Sequence, residues 1–340
     1  MNNQWRFTGN ELKYVTDVIA SGEGSSTTGN YNSLFEKEFA KKCGAKYAVT
    51  FNSGTSTLHA ALHALGVGYG DEVIIPPVTV ISNFDVTVAA NAIPVFADVD
   101  PETFNICPIE IEKKITTKTK AIMPVSVYGL SCDLDPIMEI AKKHNLCVIN
   151  DAAEAHGATY QNKPISDFAH ITSYSTENSK HIATGDGGII TTNDSELAKK
   201  CRKFASLGYH AMTAESGKVK LIAKDELQDP SYKRHDSFAY NYRMPEVAAA
   251  IGLAQTEKYE YFVDTRESIG LAMRDVVLDC EFMIPQKKID GSRNTYWTFA
   301  SRFTHEDVGW QEFRKKFMEN GGESIYCLLY TSPSPRDLRK

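Results

Sequence analysis

The chain has 340 residues, with 37 Lys and Arg against 43 Asp and Glu and a formal net charge of -6. That length fits about two domains, or one large α/β unit with a small appendage. Its 42% apolar and 24% charged residues argue against wholesale disorder, and a mildly acidic chain has no basic field to attract nucleic-acid phosphates.

The longest uncharged stretch, Tyr47 to Gly70, is broken by Asn52-Ser-Gly-Thr-Ser-Thr57, so no membrane span is expected. No basic segment followed by an apolar one opens the chain, which predicts no signal peptide and a cytoplasmic location. Seven cysteines (43, 107, 132, 147, 201, 280 and 327) form no CxxC pair. They read as reduced thiols, not as a disulfide frame or a metal site.

In chain order, Leu12, Val15, Val18 and Ile19 recur at helical spacing, and Ser33 to Cys43 reads as a second helix. Seven strand-like runs follow: Tyr47–Phe51, Glu72–Ile75, Pro94–Ala97, Ala121–Val125, Leu146–Ile149, Ile171–Tyr174 and Gly188–Thr191. Helical stretches at Ser56 to Leu65, Asp135 to His144 and Asp194 to Leu207 alternate with them. That rhythm predicts a mostly parallel seven-stranded sheet with helices on both faces, whose site lies at the carboxyl ends of the strands. Beyond about residue 245 the rhythm stops. Glu246 to Tyr259 reads as a helix whose small residues permit close packing, Tyr296–Phe303 as an antiparallel strand, and Trp310 to Asn320 as a helix. The expected division is a large α/β domain over 1–244 and a smaller α+β domain over 245–326. The last residues, 327–340, contain Ser-Pro-Ser-Pro and continue no period. They resemble one reading frame of a sequencing adapter and are expected to be a non-native tail.

Four segments carry chemistry. Asn52-Ser-Gly-Thr-Ser-Thr57 lies between a strand and a Leu-rich helix. It reads either as an ordinary capping turn or as a phosphate cradle, with Ser53, Gly54 and Thr55 at the positive end of a helix. In Asn150-Asp-Ala-Ala-Glu-Ala-His156, Asp151 stands just past an apolar strand; it is a loop carboxylate or the partner of a buried cation. In Ser175-Thr-Glu-Asn-Ser-Lys-His-Ile-Ala-Thr-Gly-Asp-Gly-Gly188, Lys180 is a solvated lysine or a Schiff-base nucleophile. Tyr240-Asn-Tyr-Arg-Met-Pro-Glu-Val247 is a loop entering a helix, and its residue types alone name no function.

Together and in this order, the four segments resemble the DegT/DnrJ/EryC1/StrS family of sugar aminotransferases. The resemblance runs from Thr8 to about Tyr326, and Asp98-Val-Asp-Pro-Glu-Thr-Phe-Asn105 and Tyr128-Gly129 add to it. It implies the type I (aspartate aminotransferase-like) fold and pyridoxal 5'-phosphate as cofactor. By that resemblance Lys180 forms the Schiff base with the cofactor and shuttles protons, and Asp151 pairs with the pyridinium nitrogen. Ser53, Gly54, Thr55 and Ser175 hold the phosphate. Asn241 reaches it from the partner subunit, which implies a homodimer with shared active sites. Glu154 stands near the cofactor ring, where many members carry Gln or His. Val80 stands where members commonly carry an aromatic that stacks on the ring.

The implied reaction moves the amino group of L-glutamate onto a keto group of a nucleotide-linked sugar. The segment Gln228 to Ser237 resembles that of members acting on 4-keto-6-deoxy sugars. A keto-inositol substrate and a noncatalytic cofactor or sugar-nucleotide binding protein are the alternatives. A dehydratase is disfavoured, because members of that kind replace the lysine by histidine.

Overall fold

The computed structural model describes residues 6–219, 223–323 and 325. The chain begins with α1 (Glu11–Ser21) and α2 (Tyr31–Cys43), then alternates: β1 (Tyr47–Phe51), α3 (Gly54–Ala64), β2 (Glu72–Ile75), α4 (Ser82–Ala89), β3 (Ile93–Phe96), α5 (Pro108–Lys114), β4 (Thr119–Ile122), α6 (Leu134–His144), β5 (Cys147–Asp151). A short pair, β6 (Thr159–Tyr160) and β7 (Lys163–Pro164), leads to β8 (Ile171–Ser175), β9 (Gly188–Thr192) and α7 (Ser195–Ala205). There follow α8 (Lys224–Gln228), α9 (Glu246–Glu257), α10 (Tyr259–Leu278), β10 (Met283–Pro285), β11 (Ser301–Phe303) and α11 (Trp310–Glu319).

All seven expected strands join one sheet, in the order β1-β9-β8-β5-β4-β2-β3. From β8 across to β3 every pairing is parallel, and β9 runs antiparallel to both its neighbours. Period-2 alternation splits the strand side chains between two cores. On one face Ile74, Ile122 and Val148 pack with Phe35 and Phe39 of α2, Ile137 of α6 and Ala249 of α9. On the other, Val73, Ile75 and Ile149 pack with Leu58 and Leu62 of α3 and Cys201 of α7. Strands apolar on both faces are what a parallel sheet buried between helix layers requires.

The small residues of α9 do bring a helix close. A Cβ on Gly252 would lie 2.6 Å from the Phe35 ring of α2. The first residue of α9 also caps α2: the Glu246 carboxylate accepts the amides of Tyr31 at 2.6 Å and Asn32 at 3.2 Å. These are orphan donors of a helix start, and an anion there also meets the favourable end of the dipole.

The described residues fall into two compact units: those up to 270 together with 287–298, and 271–286 together with those from 299 on. This division differs from a boundary at 244/245, because α9 packs with α1 and α2 in the first unit. The strand expected over Tyr296–Phe303 is shorter than its alternation suggested. Only Ser301–Phe303 pairs, with Met283–Pro285. Tyr296 has φ 46°, outside the extended region, and Thr295 donates its amide to the Gly129 carbonyl at 2.9 Å. The expected tail, 327–340, lies outside the described residues. Among the described residues no helix is long and apolar enough to cross a membrane.

Candidate active site

The carboxyl ends of β5 and β8 and the start of α3 meet at one edge of the sheet. Asp151 closes β5, and register places it opposite Ser173 of β8. Its carboxylate is 5% exposed. One oxygen accepts the Ala153 amide at 3.0 Å, and the other accepts the Asn83 side-chain N–H, also at 3.0 Å. Burial pushes the Asp151 carboxyl up, opposed by those two donors and by the charge of Lys180. Asn83 is itself fully buried and accepts the Thr79 hydroxyl at 2.5 Å. The line Thr79–Asn83–Asp151 therefore orients the carboxylate from behind.

Lys180 lies in the 176–187 loop between β8 and β9 and is 7% exposed. Its Nζ stands 3.6 Å from Glu154 Oε1 and 3.9 Å from the centroid of the Trp297 ring. Glu154 is equally buried and accepts the Tyr128 amide at 2.9 Å through its other oxygen. Burial raises the Glu154 carboxyl, Lys180 and the Tyr128 amide lower it, and the nearby Asp151 charge raises it. The main chain of Lys180 is held as well. Its carbonyl accepts from Arg6 at 3.0 Å and from Arg266 at 3.4 Å.

At the start of α3, Ser53 is extended and its hydroxyl caps the Ser56 amide at 3.1 Å. The Thr55 hydroxyl bonds that of Ser82 at 2.8 Å. A Cβ on Gly54 would come within 2.8 Å of Ser175 Cβ, so only glycine lets the helix start lie against the end of β8. His156 Nε2 sits 2.8 Å from the Ser175 carbonyl, and His181 Nε2 2.9 Å from that of Thr295. A carbonyl only accepts, so each ring carries its proton on Nε2. Burial drives the His156 imidazole down to about 3 and His181 well below its ordinary value.

The structure thus brings Ser53, Gly54, Thr55, Asp151, Glu154, Ser175 and Lys180 to one edge of the sheet. Val80 follows Thr79 and is half exposed. Asn241 is exposed, while the adjacent Tyr242 carbonyl accepts the Asn52 amide at 2.8 Å. Asn83, Trp297, Arg6 and Arg266 escaped the sequence reading.

The DegT/DnrJ/EryC1/StrS aminotransferase family model matches residues 6–335. The chain belongs to that family. A GDP-perosamine synthase of Caulobacter vibrioides is 42% identical over 265 residues, which cover 78% of this chain and 66% of that protein. The chain thus spans just under two thirds of that relative's length. Among solved structures, the aminotransferase from Psychrobacter cryohalolentis is 32% identical with a TM-score of 0.79, covering 92% of this chain and 80% of that one. The structure of NtdA from Bacillus subtilis with bound cofactor PMP is 27% identical with a TM-score of 0.80, covering 100% and 73%. The expected type I fold is the one these members share with the present chain.

The site suits a phosphorylated pyridine. Asp151 has lone pairs to spare after accepting two N–H groups, and the charge of Lys180 acts on it. The α3 start offers amides at Gly54 and Thr55 that precede the first intrahelical donors, beside a glycine cradle that a Cβ would fill.

Proposed function

We propose that this chain is a pyridoxal-phosphate aminotransferase that moves the amino group of L-glutamate to a keto group of a nucleotide-linked, 4-keto-6-deoxy sugar. The observation that carries this reading is Lys180: a lysine buried beside Glu154, at the same sheet edge as the buried carboxylate Asp151 and the helix start at Gly54. Binding alone requires neither a covalent lysine nor a buried carboxylate. The relatives named GDP-perosamine synthase point to the sugar class.

When bound, the cofactor supplies a carbonyl carbon and a ring that withdraws electrons. Asp151 holds a proton at the ring nitrogen, and its hydrogen bonds to Ala153 and Asn83 fix its direction. Ser53, Thr55, Ser175 and the α3 amides bind the phosphate. Lys180 supplies the nucleophile and, once released, moves protons at its Nζ. Glu154 faces that Nζ and orients it. Val80 would offer the ring an aliphatic wall. Asn241 reaches the phosphate of the partner's site, so the working unit is a homodimer in the cytoplasm.

The test is a visible spectrum of the purified chain with pyridoxal phosphate, before and after L-glutamate. A protein-bound yellow band that bleaches with glutamate is the expected result. Its absence in folded protein overturns the aminotransferase reading, and a band indifferent to glutamate overturns the donor. Lys180→Ala should abolish turnover by several orders of magnitude while cofactor still binds without the covalent link.

A further inference from the structure

Trp297 touches two consecutive residues of the lysine loop. Its indole N–H donates to the Ser179 carbonyl at 3.1 Å, and its ring face lies 3.9 Å from Lys180 Nζ. Glu154 Oε1 approaches the same Nζ at 3.6 Å. Arg266 secures the arrangement: its guanidinium donates to the Trp297 carbonyl at 2.7 Å and to the Ser179 carbonyl at 2.8 Å. Both ends of the indole contact, the main chain that carries the donor and the carbonyl that accepts, are therefore held by one side chain.

We propose that Trp297 is a positioning residue for Lys180, and that its ring face together with Glu154 forms the resting place of the Lys180 ammonium whenever the amine is not covalently engaged. This rests on the reading of Lys180 as the Schiff-base residue. A ring face stabilises an ammonium and does nothing comparable for a neutral amine. The contact therefore holds the ammonium in place, and the amine becomes a nucleophile on leaving the ring. The Trp297 ring, held through Ser179 and Arg266, adds a second wall beside Glu154.

The test uses the full chain prepared without cofactor, acetylated briefly with acetic anhydride across a range of pH, with Lys180 occupancy read by mass spectrometry. Only neutral amine reacts. Trp297→Leu should raise the rate of Lys180 labelling at neutral pH by about fivefold or more. Trp297→Phe keeps a ring face and should label close to the wild-type profile. If Trp297→Leu fails to fold by circular dichroism, Trp297→Met removes the aromatic face at similar reach and carries the same expectation. A folded Leu or Met variant that labels Lys180 at the wild-type rate, or a Trp297→Phe variant that labels as fast as Trp297→Leu, would overturn the proposal. The glutamate spectrum plays no part in this readout, so failure of the aminotransferase reading and failure of the resting place are distinguishable.

Discussion

Asn83 shows how one uncharged side chain can set the state of a buried charge. Its amide gives one N–H to Asp151 while its oxygen takes the Thr79 hydroxyl. Losing a hydrogen bond to a buried charged group costs about 1–3 kcal/mol. Asn83→Ala should therefore raise the Asp151 carboxyl further and weaken pyridoxal phosphate binding about tenfold, as read by absorbance titration. Asn83→Asp should do worse at neutral pH, since two carboxylates at that distance cannot both ionise. Unchanged binding in both variants would show that Asn83 serves packing only. Asp151, Lys180 and Gly54 were legible in the sequence because a strand end, a loop between strands and a helix start each leave a local signature. Asn83, Arg266 and Trp297 leave none. Asn83 reaches Asp151 across 68 residues of chain, and Arg266 reaches Lys180 across 86. No spacing rule connects them before the sheet is assembled.

At the scale of elements, α9 and α2 pose a question of sign. Gly252→Ala gains about 1 kcal/mol of helix propensity. Its new methyl, however, would lie 2.6 Å from the ring of Phe35, which is wholly buried. Overpacking of that kind costs about 1–3 kcal/mol. Gly252→Ala should thus lower the melting temperature despite the better helix former, and Phe35→Leu in the same chain should restore part of the loss. A rise in the single variant would mean that the pair is looser than its geometry. The strands were readable because burial on both faces makes them short, continuous apolar runs. Four helices, α4, α5, α8 and α10, were not. The residues of α4 include Val86, Thr87 and Val88, β-branched types that favour strands. In α10 apolar residues circle the helix, with Ile269, Leu271, Met273, Val276 and Leu278 all exposed, so no single stripe marks it.

The whole molecule should respond to acid through buried imidazoles, His156 and His181 above all. Both are neutral when folded and free to charge when unfolded, so below about pH 6.5 the unfolded chain binds more protons. The contribution of His156 is complete above that pH and is lost progressively as pH falls toward about 3. Each histidine should cost about 1.4 kcal/mol per pH unit within the window. Urea unfolding between about pH 7 and about pH 5 measures it, and His156→Asn should flatten the slope by about one proton. An unaltered slope would mean that the folded ring is already charged. The proposed shared sites make a separate prediction for the proposed dimer. Lys180→Ala and Asn241→Ala should each be inactive or nearly so, yet mixing and reassembling them should recover roughly a quarter of the sites. No recovery from assembled mixed dimers would place Asn241 outside the partner's site.

The reversal of β9 has a bearing on how such a site can change over time. A parallel successor to β8 would oblige the chain to cross the whole sheet before returning. Instead, the 176–187 loop leaves and re-enters at the same edge, and its ends are tied by the pairing of Ser175 with Gly188. The opposition of Asp151 and Ser173 belongs to the sheet and not to the loop. Substitutions within the loop can then re-aim the lysine or alter its neighbours while Asp151 and the start of α3 keep their spacing. On the proposed roles, the architecture separates the part that grips from the part that reacts, so each is open to revision without undoing the other.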